Sequence, residues 1–226
     1  MLETDLIARY PVLFHMAEAG SWPTIRKLGL LSTTAALDRF EVKGPARQAL
    51  ERAHRPEKVR LAHRSHGHLV LRDQKPMPAA RLASCLEDDL SPADWYRILN
   101  GKTFFWATRE RLITLLKAKS YRHEEHDVLA VDTASLLGAH AARVSLCHLN
   151  SGHAFRFAQP RGRSSFLPIG DYPARGGRPY KEVAEVTVEY SVPDIVRHVI
   201  RVERMQQAEL RRVIWQRGNS RRATAK

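Results

Sequence analysis

The sequence predicts an α+β domain, and three observations carry that expectation. Short apolar or alternating runs, bounded by Gly, Pro, Asn or Ser, recur between residues 12 and 190 and read as strands. Between them lie segments with helix caps and apolar residues at three- and four-residue spacing. Residues 150–181 are rich in Gly, Pro, Ser and Arg, a long structureless stretch of the kind that is either functional or disordered.

Residues 12–16 (VLFHM) read as a buried strand. Ser21 caps a helix with Pro23 in its first turn, which runs to Lys27 and stops at Gly29. Residues 30–33 continue as a turn or short extended segment, and residues 35–55 are broadly helical with a break at Gly44-Pro45. A strand over 68–71 and a helix over 79–86 follow. At 91–94 (SPAD) an N-cap serine, a first-turn proline and an acid at the third position open a helix that Asn100-Gly101 closes. Residues 103–107 form a strand, and Thr108 caps an amphipathic helix over 109–118 with Leu112, Leu115 and Leu116 inward. Strands at 128–131 and 144–147 flank a short helix around Leu136. The run 183–190 is strongly β, Pro193-Asp194-Ile195 opens a single turn, and residues 203–216 read as helix. The expected division is one domain over 1–204 and a basic helical or disordered tail over 205–226.

The chain has 226 residues, 43% hydrophobic and 27% charged, which is enough apolar mass to exclude a disordered chain. Thirty-seven Lys and Arg stand against 24 Asp and Glu, a net charge of +13 that favours polyanionic partners, nucleic acid first. The excess is concentrated. Residues 43–64 hold seven basic and two acidic residues, and residues 201–226 hold eight and two. Two cysteines, Cys85 and Cys147, cannot form a disulfide framework. No stretch has the apolar length of a membrane span, and the N-terminus lacks the pattern of a signal peptide, so a cytoplasmic protein without membrane contact is expected.

Within 183–190, Val183, Glu185, Thr187 and Glu189 alternate with an apolar set, which expects the two glutamates on the face away from the core. They stand about 13 Å apart along a strand, too far for a carboxylate pair. An isolated strand glutamate is most often merely solvated; the Arg-rich segment directly before it singles out Glu185. His63, His66 and His68 are close in sequence, as are His123, Glu124, Glu125 and His126. Neither spacing matches a zinc site, so no metal is expected. Phosphate-loop and nucleophile-elbow motifs are absent.

Three islands resemble the DarT type of ADP-ribosyltransferase, in the same order. They are residues 14–25 (FHMAEAGSWPTI) with Gly29-Leu30-Leu31-Ser32, residues 102–109 (KTFFWATR), and Ala184-Glu185-Val186 with Val192-Pro193-Asp194 downstream. Residue 17 is Ala where that family commonly has a hydroxyl. The His-containing start together with the Leu99-Asn100 to Phe104-Phe105-Trp106 stretch is also similar to an uncharacterised bacterial sister group. The resemblance implies two packed short-stranded sheets with flanking helices, NAD as substrate and Glu185 as catalytic carboxylate. It leaves Arg72 and Arg109 as alternatives for the catalytic arginine. Through it His15, Met16, Ala17, Trp22, Ser32, Phe105 and Trp106 become candidates for holding NAD, and Arg161, Arg163, Arg175 and Arg178 for meeting a DNA or RNA acceptor. It also implies an antitoxin as a protein partner. Two alternatives stay open from sequence: an NAD-dependent RNA 2′-phosphotransferase and a non-catalytic nucleic-acid-binding module.

Overall fold

In a computed structural model, residues 1–74, 77–154 and 159–218 are described. The chain begins with α1 (Glu3–Arg9), β1 (Val12–Glu18), α2 (Trp22–Leu28) and β2 (Leu30–Leu31), then α3 (Thr33–Arg39) and α4 (Gly44–Glu51). A hairpin of β3 (Val59–His63) and β4 (Gly67–Leu71) leads to α5 (Ala79–Ala83) and α6 (Pro92–Asn100). Next come β5 (Lys102–Trp106), α7 (Arg109–Leu116), β6 (His126–Asp132), α8 (Thr133–His140) and β7 (Val144–Cys147). The short pieces β8 (Leu167–Pro168), β9 (Ala174–Arg175) and β10 (Arg178–Pro179) precede β11 (Glu185–Glu189) and β12 (Ser191–Val192). β13 (Val199–Gln206) and β14 (Glu209–Gln216) close the described chain.

The architecture is α+β. In place of two separate sheets, the described residues form one eight-stranded antiparallel sheet in the order β14-β13-β6-β1-β5-β11-β7-β8 and three two-stranded ribbons. Its main core unites Leu13, Phe105, Leu129, Val186 and Val202 with Leu6, Trp22 and Leu136 from the helices. Ser91 and Thr108 cap their helices through the side chain, whereas Ser21, expected to cap α2, makes no capping bond. Ser91 Oγ accepts from the Asp94 amide at 3.2 Å while the Asp94 carboxylate accepts from the Ser91 amide at 3.1 Å. Asp127, fully buried in β6, accepts from the Gly20 amide at 2.9 Å and from Arg204 Nε at 2.6 Å, which ties the turn before α2 to the sheet.

Two expectations are corrected. Residues 203–216 are not helical: they form the second half of β13 and all of β14, so the boundary at 204/205 falls inside a strand. Good helix formers fill the segment, but β6 presents buried Val128, Leu129 and Val131 with an open edge, and pairing with β13 covers them. Register shifts at Val202/Glu203 and Arg204/Met205 interrupt the two-residue period that would have revealed the strand. The face of β11 carrying Glu185 is not solvated either. Glu185 is 4% exposed and Thr187 fully buried, because β11 lies inside the sheet and a second cluster, including Trp95, Cys147, Leu149 and Phe166, covers that side. Glu189 does lie at the surface, paired with Lys102.

Candidate functional site

The sheet has a seam. β1 and β5 share a single registered pair, Phe14 opposite Trp106, whereas β1 and β6 share seven and β5 and β11 share five. Just beyond that pair, His15 Nδ1 donates to the Phe104 carbonyl at 2.8 Å, a side-chain bond that ties the strands where their ladder has ended. A carbonyl only accepts, so the His15 proton sits on Nδ1 and Nε2 is left as an acceptor. Burial, reinforced by the Arg72 cation, holds the imidazole below its ordinary pKa and therefore neutral.

The seam opens into a cleft of about 1070 Å³ walled by β1, β4, β5 and the turn at 150–153. Glu185 lines the same cleft as His15. It lies opposite Trp106 on one side and Cys147 on the other, so two strand spacings, roughly 10 Å, separate it from Phe14, the neighbour of His15. The Glu185 carboxylate accepts from Ser151 Oγ at 2.6 Å and from the Ser151 amide at 3.2 and 3.3 Å. Burial pushes its pKa up to about 7, against the opposing pull of the Ser151 bonds and of the Arg161 and Arg111 cations.

Arg72 follows β4 and enters the cleft wall. Its Nη1 donates to Glu18 Oε2 at 3.1 Å and to His126 Nδ1 at 3.0 Å, and its guanidinium lies 5.2 Å over the Tyr121 ring. Its Nε and Nη2 are buried without a hydrogen-bond acceptor among the described residues. Behind it Arg55, 6% exposed, donates to the Arg72 and Leu50 carbonyls at 2.7 Å and reaches Asn100 Oδ1 at 3.4 Å; burial lowers its pKa to about 10.

The other sequence candidates divide. Met16, Ala17, Ser32, Phe105 and Trp106 line the cleft, with Ser32 Oγ also capping α3 by accepting from the Ala35 amide at 3.1 Å. Trp22 belongs to the main core, its ring 5.5 Å from that of Trp215, and does not line the cleft. Arg109 also lies outside the lining: its Nη2 donates to Glu203 on β13 at 2.9 Å. Arg161, expected at an acceptor surface, is instead 2% exposed and donates through Nη1 to the Ser151 carbonyl at 3.1 Å, holding the turn that caps Glu185. Arg163, Arg175 and Arg178 are exposed, on a 3-10 turn and on the β9–β10 hairpin, outside the cleft lining. Sequence reasoning missed Arg55, Asn100 and Ser151. Asn100 was visible only as a helix stop, Arg55 only as one charge in a basic run, and Ser151 only as part of a loop.

The two histidine clusters of the sequence do not assemble as ligand sets. His126 is built into the Arg72 network, and His63 stacks on His66. A different group converges: ligating atoms of His140, Asp194 and His198 lie within 4.8 Å of one another. Arg143 Nη2 donates to His140 Nδ1 at 2.8 Å, so His140 keeps its proton on Nε2 and directs it to Asp194 Oδ1 at 2.6 Å. His198 Nδ1 lies 2.7 Å from Ser135 Oγ, while its Nε2, 3.3 Å from Asp194 Oδ2, makes no hydrogen bond among the described residues.

Residues 11–199 match a family of unknown function, DUF7002, a span that runs from the first sheet strand to the start of β13 and takes in both His15 and Glu185. The chain belongs to the DUF7002 family. No curated protein and no solved structure matches the chain.

Proposed function

We propose that the protein is an NAD-dependent mono-ADP-ribosyltransferase that modifies a base of DNA or RNA, with Glu185 as its catalytic carboxylate. The observation that supports it is the meeting of His15 and Glu185, remote in the chain, around one cleft at the seam of the sheet. The cleft is of a size for a dinucleotide. Its lining carries the cations Arg55, Arg72, Lys102, Arg111 and Lys119 against the acids Glu18, Asp73 and Glu185, a balance suited to a pyrophosphate.

In this reading NAD is the substrate. The bond between ribose C1′ and the nicotinamide nitrogen breaks, nicotinamide leaves with the electron pair, and positive charge develops on the ribose. Ionised Glu185 stabilises that charge and takes the proton that the acceptor nitrogen or oxygen loses as its bond to C1′ forms. His15 Nε2 accepts a hydrogen bond from a ribose hydroxyl. Arg72, whose Nε and Nη2 make no hydrogen bond among the described residues and whose Nη2 lies 3.8 Å from Asp73 Oδ1, turns its charge to the pyrophosphate, and Trp106, half-buried in the wall, offers a stacking face. A cytoplasmic site of action and a neutralising protein partner go with the proposal; among the described residues no helix is long and apolar enough to cross a membrane.

The test is incubation with adenylate-labelled NAD and single-stranded DNA or RNA oligonucleotides. Label is expected on the oligonucleotide with matching release of nicotinamide, and Glu185→Ala is expected to lower both by a hundredfold or more. Wild-type protein that releases no nicotinamide and labels neither oligonucleotide overturns the proposal.

A further inference from the structure

The β3–β4 hairpin, conspicuous in the sequence for its histidines, contributes β4 to the wall of the cleft. His68 on β4 lines the cavity, and Thr24 Oγ1 on α2 donates to the His68 carbonyl at 3.4 Å. At the hairpin turn the rings of His63 and His66 stack, with centroids 4.6 Å and planes 20° apart, and both lie about 6 Å from the Phe40 ring. The Ser65 amide donates to His63 Nδ1 at 3.3 Å, which makes Nε2 the ring nitrogen of His63 that carries a proton and donates. Lys27 Nζ reaches the Ser65 carbonyl at 3.4 Å, and Lys27, Arg39 and Arg64 are all exposed.

Positive charge dominates this corner. After burial, Arg39, His63 and Lys27 are what hold His66 below its ordinary pKa, with Glu41 acting the other way. Glu41 itself lies 3.8 Å from His63 Nε2 with most of its side chain in solvent. Three exposed cations around a pair of stacked rings, so lightly compensated, make a surface that gains energy from a polyanion. The stacked imidazoles add what an acidic peptide cannot use as well, a planar face for a base.

We propose that Lys27, Arg39, Arg64 and the His63–His66 stack bind the phosphodiester backbone of a single-stranded nucleic acid at the mouth of the cleft. The inference deepens the transferase reading and rests on it for the strand's destination: a nucleotide beside the one on the stack is led along β4 toward the cavity. The shared chemistry is the phosphodiester, and DNA and RNA are the two arms of the test.

The experiment measures the fluorescence anisotropy of labelled 12-nucleotide DNA and RNA with the full chain across a salt series. For at least one of the two, Lys27→Ala/Arg64→Ala is expected to raise Kd tenfold or more and to lower the slope of log K against log salt by about 1.4, two contacts at roughly 0.7 each on a single strand. Arg81→Ala/Arg97→Ala, exposed on α5 and α6 and outside the cleft lining, is expected to change Kd less than twofold. Unchanged binding by the Lys27/Arg64 variant, an equal loss in the Arg81/Arg97 variant, or competition by polyglutamate as effective as by unlabelled oligonucleotide each overturns the proposal. Thermal melting with NAD, run on the same proteins, separates the two readings. A shift by NAD kept in the Lys27/Arg64 variant leaves the transferase reading standing whatever the anisotropy shows, and oligonucleotide binding without any NAD shift in the wild type removes that reading alone.

Discussion

Glu185 is held at a cost. Its carboxyl, taken out of water between two neighbouring strands, has a pKa raised from the ordinary 4.5 to about 7, so the folded protein keeps a proton there that the unfolded chain releases. With more protons bound in the folded state, stability falls as pH climbs from about 4.5 to about 7, and the full penalty, at most about 3 kcal/mol, applies above that window. Glu185→Gln removes the charge and keeps the shape. Its melting temperature is expected to match wild type near pH 4.5 and to exceed it increasingly up to pH 8, while transfer activity is lost. A Gln variant no more stable than wild type at pH 8 would mean the carboxylate is not penalised in the fold. On the proposed mechanism, transfer by wild type rises through pH 7 as Glu185 ionises. The residue-level reading of the sequence singled out Glu185 and His15, but not their environments: nothing local says that β11 is covered on both faces or that Ser151 caps the carboxylate.

Elements were legible in proportion to how local their causes are. α6 is written into residues 91–101 by its own cap and stop, and its capping box forms as its spacing requires. α2, α7 and the strands β1, β5, β6, β7 and β11 follow the same rule, each lying where period and flanking residues expect it. The hairpin of β13 and β14 was not legible, because its residues favour helix and only the uncovered edge of β6 selects the strand. The consequence is testable. A chain ending at Arg204 loses Met205, which is fully buried against Phe14, Leu112 and Val128, together with all of β14, including Trp215 against Trp22. Loss of a buried Met alone costs about 2 to 5 kcal/mol. The truncated chain is therefore expected to melt well below the full chain or to be recovered insoluble. A truncated chain with an unchanged melting temperature would show that residues beyond 204 are the dispensable tail the sequence suggests.

At the scale of the molecule, the proposed binding of NAD in the cleft has a thermodynamic consequence. NAD at a hundred times its Kd is expected to stabilise the folded chain by about 2.7 kcal/mol, a rise of roughly 5 to 10 °C for a protein of this size, read by differential scanning fluorimetry. No rise at any NAD concentration up to 5 mM would remove NAD as a ligand and leave a cationic nucleic-acid binder.

The sequence by itself determined the α+β class, most helix and strand positions, the cationic character and a short roster of chemically able residues. Those are consequences of caps, periods and composition, which act within a few residues of one another. Only the tertiary structure decided that His15 and Glu185 share a cleft, that Arg72 faces it while Arg109 pairs with Glu203, and that Arg161 is buried behind Ser151. Each depends on which strands pair, and above all on the ladder between β1 and β5 ending after Phe14 and Trp106. Pairing between distant segments is settled by which buried faces and edges fit one another in the assembled sheet, information that no short window of residues contains.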